Sequence, residues 1–139
     1  YLEQSSKVQA ACPWYPPTDT SKFQYQEAEQ CAASPESLLL GFNVMKNPEK
    51  GYENSPVSKV TKEAPPFLII HGTNDRTVPF SQSESLYESL EKNGCDVTFL
   101  ALEGADHADL QFFQDEVWER MISFFKEKLT RICQEDIKS

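Results

Sequence analysis

Pro65-Pro66-Phe67-Leu68-Ile69-Ile70-His71-Gly72-Thr73-Asn74-Asp75-Arg76-Thr77-Val78-Pro79 is the run from which the architecture of this 139-residue chain follows. Two prolines open it, Phe67–His71 is continuously apolar up to its last residue, and Gly72 stops it. A strand buried on both faces has this composition, and such strands belong to parallel sheets with helices on either side. Ser81-Gln82-Ser83-Glu84 follows as a capping-box pattern, with Ser81 expected to satisfy a free amide of the first turn. Leu86 and Leu90 share one helical face, and Asn93-Gly94 supplies a stop, which predicts a helix over 81–93. Residues 96–102 alternate as a second strand, with Val97, Phe99 and Ala101 on one side and Thr98, Leu100 and Leu102 on the other. A final helix is expected over 113–132, with Phe113, Val117, Met121, Phe124, Phe125, Leu129 and Ile132 at helical spacing on a core-facing stripe.

Strand, helix, strand, helix over 64–133 is a βαβα unit, whose two parallel strands require a crossover. Upstream, Val8-Gln9-Ala10-Ala11-Cys12 is a shorter apolar run and the candidate third parallel strand. The stretch between it and Phe67 is too long for an ordinary loop. It holds eight of the nine prolines, and Ser34-Pro35-Glu36-Ser37 before Leu38-Leu39-Leu40-Gly41 predicts a short helix within it. The expected fold is therefore one α/β domain over 1–139: three parallel strands, flanking helices and a cap-like insertion at 16–63.

Composition narrows the functions. Hydrophobic residues are 39% and charged residues 25%, a globular balance. Thirteen basic residues against 22 acidic ones give a net charge of −9, which disfavours nucleic acid and anionic membrane surfaces as partners. No apolar run approaches the roughly 20 residues of a membrane span, and no signal segment opens the chain. Tyr1 is not a natural start, so an upstream segment is expected. Cys12, Cys31, Cys95 and Cys133 form no CxxC, and His71 and His107 belong to no HExxH, so neither a metal nor a cofactor is expected. The four cysteines read either as buried thiols of a cytoplasmic protein, the location expected here, or as two disulfides of a secreted one; Cys12 with Cys31 is the first pair to test.

In open parallel sheets ligands bind beyond the carboxyl ends of the strands. Asp75 follows the end of the first apolar run by four residues, and His107 follows Leu102 by five. Neighbouring strands lie about 4.8 Å apart, so loops of similar length bring this carboxylate to this imidazole. Such a pair fixes the ring tautomer and stabilises the imidazolium, as in a nucleophile–His–acid triad. The alternative is a solvated loop carboxylate and a surface histidine. Asp106 and Asp109 flank His107 but are poorly placed to point at it. His71, closing a buried strand, reads as a structural histidine.

The same residues resemble a family. The Pro65–Pro79 run is similar to the acid-bearing strand and loop of α/β-hydrolases, in the bacterial esterase/lipase branch near feruloyl esterases and prolyl-oligopeptidase-like enzymes. Glu103-Gly104-Ala105-Asp106-His107 resembles that family's histidine loop. Val8-Gln9-Ala10-Ala11-Cys12-Pro13-Trp14-Tyr15-Pro16-Pro17-Thr18-Asp19 resembles its strand after the nucleophile helix and the entry to its cap. The resemblance implies that Asp75 is the triad acid and His107 the general base, with Asp19 structural. It implies a small-molecule ester as substrate, with Phe23, Tyr25, Phe42 and Tyr52 as apolar walls from the cap. The chain departs from the pattern at Asp106, where the family has glycine, so a strained loop or perturbed histidine is expected there. It departs again at Pro16-Pro17, where the family often has Gly-Pro.

The family's nucleophile elbow reads Gly-x-Ser-x-Gly and precedes the acid and the histidine. None of the five glycines begins that pattern. The chain is thus expected to be the C-terminal half of a serine esterase, inactive alone, with the serine and the oxyanion donors in an N-terminal half upstream of residue 1. Its open sheet edge is expected to favour self-association. The alternatives are a non-catalytic interaction module on a hydrolase-like half-fold, and an amidase or peptidase of the same fold.

Overall fold

The computed structural model describes residues 3–23 and 27–136, with main chain alone for 131–136. After a 3-10 turn at Thr20–Lys22, three short helices follow: α1 (Ala28–Ala32), α2 (Pro35–Leu40) and α3 (Pro48–Glu53). A second 3-10 turn, Pro56–Lys59, leads to β1 (Phe67–Gly72), α4 (Ser81–Lys92) and β2 (Val97–Leu102). A third such turn, Leu110–Phe113, precedes the long α5 (Asp115–Asp136). β1 and β2 pair in parallel over six residues, Phe67 opposite Val97 through Gly72 opposite Leu102. The βαβα unit is thus present, and no helix of the described residues is long and apolar enough to cross a membrane.

Among the described residues the regular sheet has two strands, and where a third is expected two isolated bridges stand, further along the chain. Val8 is exposed, while Ala11 and Trp14 bridge to Phe67 and Ile70 in parallel. Ala11 N–H donates to Pro66 O, Leu68 N–H to Ala11 O, Ile70 N–H to Pro13 O and Tyr15 N–H to Ile70 O, all at 2.8–3.0 Å. The rung missing from this parallel pattern is the one that Pro13 would donate. Proline has no N–H, so two bridges stand where a continuous ladder would otherwise form.

Both faces of β1 are buried. Leu68 and Ile70 pack with Ala105, Phe112, Val117 and Phe124 on the α5 side, and Ile69 packs with Val57, Leu86 and Leu90 on the α4 side. Each fully buried aliphatic side chain contributes about 1.5–3 kcal/mol. β2 divides its side chains as its alternation predicts, Leu100 and Leu102 toward the first cluster, Val97 and Phe99 toward the second.

Two helix boundaries differ from expectation. Phe80, not Ser81, is the N-cap of α4 and gives no side-chain cap; Gln82 and Ser83 are buried and bond elsewhere. At the other end, Asp109 caps the 3-10 turn through Gln111 N–H, and Gln114 is extended before α5 begins. Phe113 therefore sits outside α5 and is exposed, while its neighbour Phe112 is fully buried. The expected stripe is core at Val117 and Phe124 but exposed at Leu129; Ile132 lies outside the described side chains. α2 starts where expected, with Ser34 Oγ accepting from Ser37 N–H, and ends at Gly41 in a left-handed conformation. Cys12, Cys31 and Cys95 are free thiols, so Cys12 and Cys31 are not paired; Cys133 lies outside the described side chains. Burial pushes the Cys12 thiol up to about 11.

The segment between Tyr15 and Phe67 is fastened to α4 by Gln82. Its Oε1 accepts from Thr18 N–H (2.9 Å) and Asp19 N–H (2.7 Å), and its Nε2 donates to Asp19 O (3.0 Å). Asp19 itself is buried, its Oδ1 accepting from Ser21 N–H at 3.1 Å and its Oδ2 lying 3.2 Å from Lys22 Nζ, an arrangement that organises the Thr20–Lys22 turn.

Candidate active site

The loops that leave β1 and β2 at their carboxyl ends are joined to each other. Thr73 N–H donates to Leu102 O and Asn74 N–H to Ala105 O, each at 3.0 Å, while Gly104 N–H donates to Thr73 Oγ1 at 2.8 Å. Gly72 makes this approach feasible: a Cβ there would overlap the carbonyl of Ala105.

Asp75 stands in the first loop with its carboxylate shielded from solvent. Oδ1 accepts from Thr77 N–H and Val78 N–H, both at 2.8 Å. Oδ2 lies 2.8 Å from Nδ1 of His107. A carboxylate only accepts, so the proton of this bond is on Nδ1 and Nε2 is left with a lone pair. The sequence-predicted pair is thus in direct contact. The imidazole keeps 28% of its surface open to solvent. Ala108, which follows it, holds a φ of 53°, a left-handed conformation that costs a non-glycine residue about 1–2 kcal/mol.

His71 is fully buried behind the acid. Its Nδ1 is 2.6 Å from Ser83 Oγ, and its Nε2 is 3.0 Å from Val78 O and 3.2 Å from Asp75 Oδ2. The carbonyl and the carboxylate both require a donor, so Nε2 carries the proton and Nδ1 accepts from the serine hydroxyl. Burial lowers the pKa of His71, against the opposing pull of the Val78 carbonyl and the Asp75 charge. His71 is structural, as its place on the strand predicts, and it also braces the acid.

The flanking carboxylates are engaged elsewhere. Asp109 caps the turn before α5. Asp106 accepts from Arg76 and from the main chain of His107, and these donors hold its carboxyl down at about 2, Arg76 N–H first, then the guanidinium, then His107 N–H. Asp106 has no positive φ, so the strain expected at this position is absent.

Sequence reasoning missed Tyr15. Its ring lies 4.2 Å from the His107 imidazole and 5.0 Å from Phe112, centroid to centroid, and its φ is 39°. Its place just after an apolar run was the one signal in the sequence. Of the expected aromatic walls, Phe42 lies under Lys50 Nζ at 5.1 Å, Tyr52 is half-exposed, and Tyr25 is outside the described residues. Among the described residues, no three His, Cys, Asp or Glu side chains converge as metal ligands. The arrangement can accept a proton at His107 Nε2 and stabilise the resulting imidazolium against Asp75.

The sequence model of the BD-FAE family matches residues 1–90, a span that includes Tyr15, His71 and Asp75 and stops short of His107. Esterase LipC of Mycobacterium tuberculosis is 37% identical over 73 residues, 52% of this chain and 18% of its own length. Esterase LipQ of the same bacterium is 33% identical over 102 residues, 73% of this chain and 24% of its own. A solved structure of a truncated carbohydrate esterase from gut microbiota superposes with a TM-score of 0.82 at 30% identity, covering 94% of this chain and 46% of that one. The chain thus spans about half of that structure and about a fifth to a quarter of these two relatives. With a family model matched over 90 of its 139 residues, the chain belongs to the BD-FAE family and carries part of the α/β-hydrolase fold of an esterase.

Proposed function

We propose that this chain supplies the acid and the general base of a serine esterase, with Asp75 as the acid, His107 as the base and the nucleophilic serine upstream of residue 1. The observation that carries the proposal is the 2.8 Å contact between His107 Nδ1 and Asp75 Oδ2 at the carboxyl ends of two paired parallel strands. In this reading His107 Nε2 takes the serine proton as the hydroxyl attacks the ester carbonyl. It then gives that proton to the departing alcohol, with Asp75 holding the ring. Water enters, His107 takes one of its protons, and the acid is released as the serine regains its hydrogen. Residues 16–63 act as the cap over this end of the sheet. The likeness to a carbohydrate esterase supports an ester borne on a sugar hydroxyl as the substrate class.

The exposed apolar side chains of α5, with Trp118, Ile122 and Leu129 each more than 40% open, support a fold completed by further chain or by a second copy. The test uses the full-length protein. Turnover of a short-chain nitrophenyl ester and of acetylated sugars is expected, and His107→Ala should lower kcat by at least about 10⁴-fold. Full activity in that variant would end the proposal. Turnover of anilides in preference to esters would favour an amidase, and absence of turnover on either would favour an interaction module.

A further inference from the structure

We propose that Asp106 is a positioning residue that fastens the base-bearing loop to the acid-bearing loop by accepting the main-chain N–H groups of both Arg76 and His107. This rests on the esterase reading above and assigns a role that the Asp75–His107 pair does not itself contain. Asp106 Oδ1 is 3.0 Å from Arg76 N and 2.7 Å from His107 N. Arg76 directly follows the acid, and Asp106 directly precedes the base. One carboxylate oxygen therefore holds the backbone beside each partner of the pair. The other oxygen accepts from Arg76 Nε at 2.6 Å and is also in contact with Nη2, so the guanidinium closes a fork over the same carboxylate.

Two features separate this arrangement from an ordinary surface ion pair, which contributes little. First, two of its donors are main-chain groups, and among the described residues neither N–H is bonded to a main-chain carbonyl. Removing the carboxylate frees the backbone of both loops, not merely a pair of flexible tips. Secondly, it is more open to solvent than the acid whose loop it holds. The Arg76 side chain is 81% exposed and that of Asp106 25%, whereas Asp75 is shielded. The acid and base are thus held through their side chains by their own hydrogen bond and through their neighbouring main chain by Asp106. The donors that hold the carboxyl of Asp106 low keep it ionised throughout the neutral range.

The test compares Asp106→Ala, Asp106→Asn and Arg76→Gln in the full-length protein. Asp106→Ala removes every acceptor and should lower kcat on the order of tenfold with KM held within about twofold, because the base is misplaced without loss of substrate contact. Asp106→Asn keeps a carbonyl oxygen for the two main-chain donors, and Arg76→Gln leaves both of those bonds intact, so each should lose less than the alanine variant. The second readout needs no turnover: the downfield proton resonance of the His107 Nδ1–H bond to Asp75 should broaden in Asp106→Ala and persist in Arg76→Gln. An alanine variant with a lowered melting temperature but the parent's kcat and resonance would mean that Asp106 only stabilises the fold, and the proposal fails. Should that variant not fold, Asp106→Gly, which also removes every acceptor, takes its place: the parent's kcat and resonance in Asp106→Gly would overturn the proposal. Activity surviving His107→Ala removes the esterase reading instead, and the resonance still tests the fastening.

Discussion

The ring of Tyr15 rests 4.2 Å from the imidazole of His107 and also touches Phe112 edge-on at 5.0 Å. Tyr15 reaches this place because its N–H is bonded to Ile70 O at 2.8 Å while its φ of 39° turns the chain out of the sheet. A strained residue held by a sheet bond makes a rigid wall for the ring it faces. Tyr15→Ala is expected to let the imidazole sample other rotamers and to lower kcat on the order of tenfold. Tyr15→Phe, which keeps the ring, should stay within about twofold. Steady-state kinetics on a nitrophenyl ester measures both; an alanine variant as active as the parent would remove Tyr15 from the site.

Asp75→Asn tests the pair itself. Oδ1 would still accept from Thr77 and Val78 N–H, so the loop should fold. At the Oδ2 position an amide nitrogen would face His107 Nδ1 and His71 Nε2, both of which donate there in the parent. Donor opposite donor forces the imidazole into the other tautomer, which leaves no acceptor at Nε2. A loss of about 10³–10⁴ in kcat is expected, together with a lower melting temperature from the buried donor–donor contact at His71 Nε2. Retention of more than a tenth of the activity would argue against Asp75 as the acid.

The Asp75–His107 contact was legible because it depends on little: two apolar runs of strand length, a helix between them, and loops of four and five residues at one sheet edge. Features that needed three-dimensional register were not legible. The upstream segment joins β1 by bridges at Ala11 and Trp14 in place of a ladder because Pro13 removes a rung, and that register brings Tyr15 to the base. The Asp106–Arg76 contact spans 30 residues and follows from two loops docking on Gly72, which periodicity does not encode. Phe113 fits the helical stripe by spacing, yet a 3-10 turn shifts the phase by one residue and buries Phe112 instead. Ser81 fits a capping box, but the next two side chains are drawn inward, Gln82 to Thr18 and Asp19, Ser83 to His71.

His71 makes stability depend on pH. Its pKa in the fold is below the ordinary 6.5, burial being the main cause. The unfolded chain therefore binds more protons just below pH 6.5, and stability rises with pH there. The contribution is fully present above 6.5 and is lost as pH falls below it. A lower urea midpoint is expected at pH 5.5 than at pH 7.5, with a smaller difference in His71→Gln, which has no proton to gain. A parental midpoint that is level or higher at pH 5.5 would contradict this.

Gly72→Ala should destabilise the protein where such a change ordinarily helps. Away from positive φ, replacing glycine by alanine usually adds about 0.4–1 kcal/mol by restricting the unfolded chain. At Gly72 the new methyl would overlap the main-chain carbonyl of Ala105, which is backbone and cannot swing aside. The two loops must part, and the bonds from Asn74 N–H to Ala105 O and from Gly104 N–H to Thr73 Oγ1 lengthen with them. A cost of about 2–3 kcal/mol is expected, together with a fall in kcat larger than the stability change alone accounts for, since Asp75 and His107 ride on the same loops. Gly94→Ala is the control. Its φ of 72° makes alanine unfavourable by about 1 kcal/mol, but nothing lies within 4 Å of the added carbon, and it sits at the far end of β2. Chemical denaturation should rank Gly72→Ala below Gly94→Ala, with kcat reduced only in the former. Equal or greater stability of Gly72→Ala over the parent would mean that the close loop contact does not hold the site together.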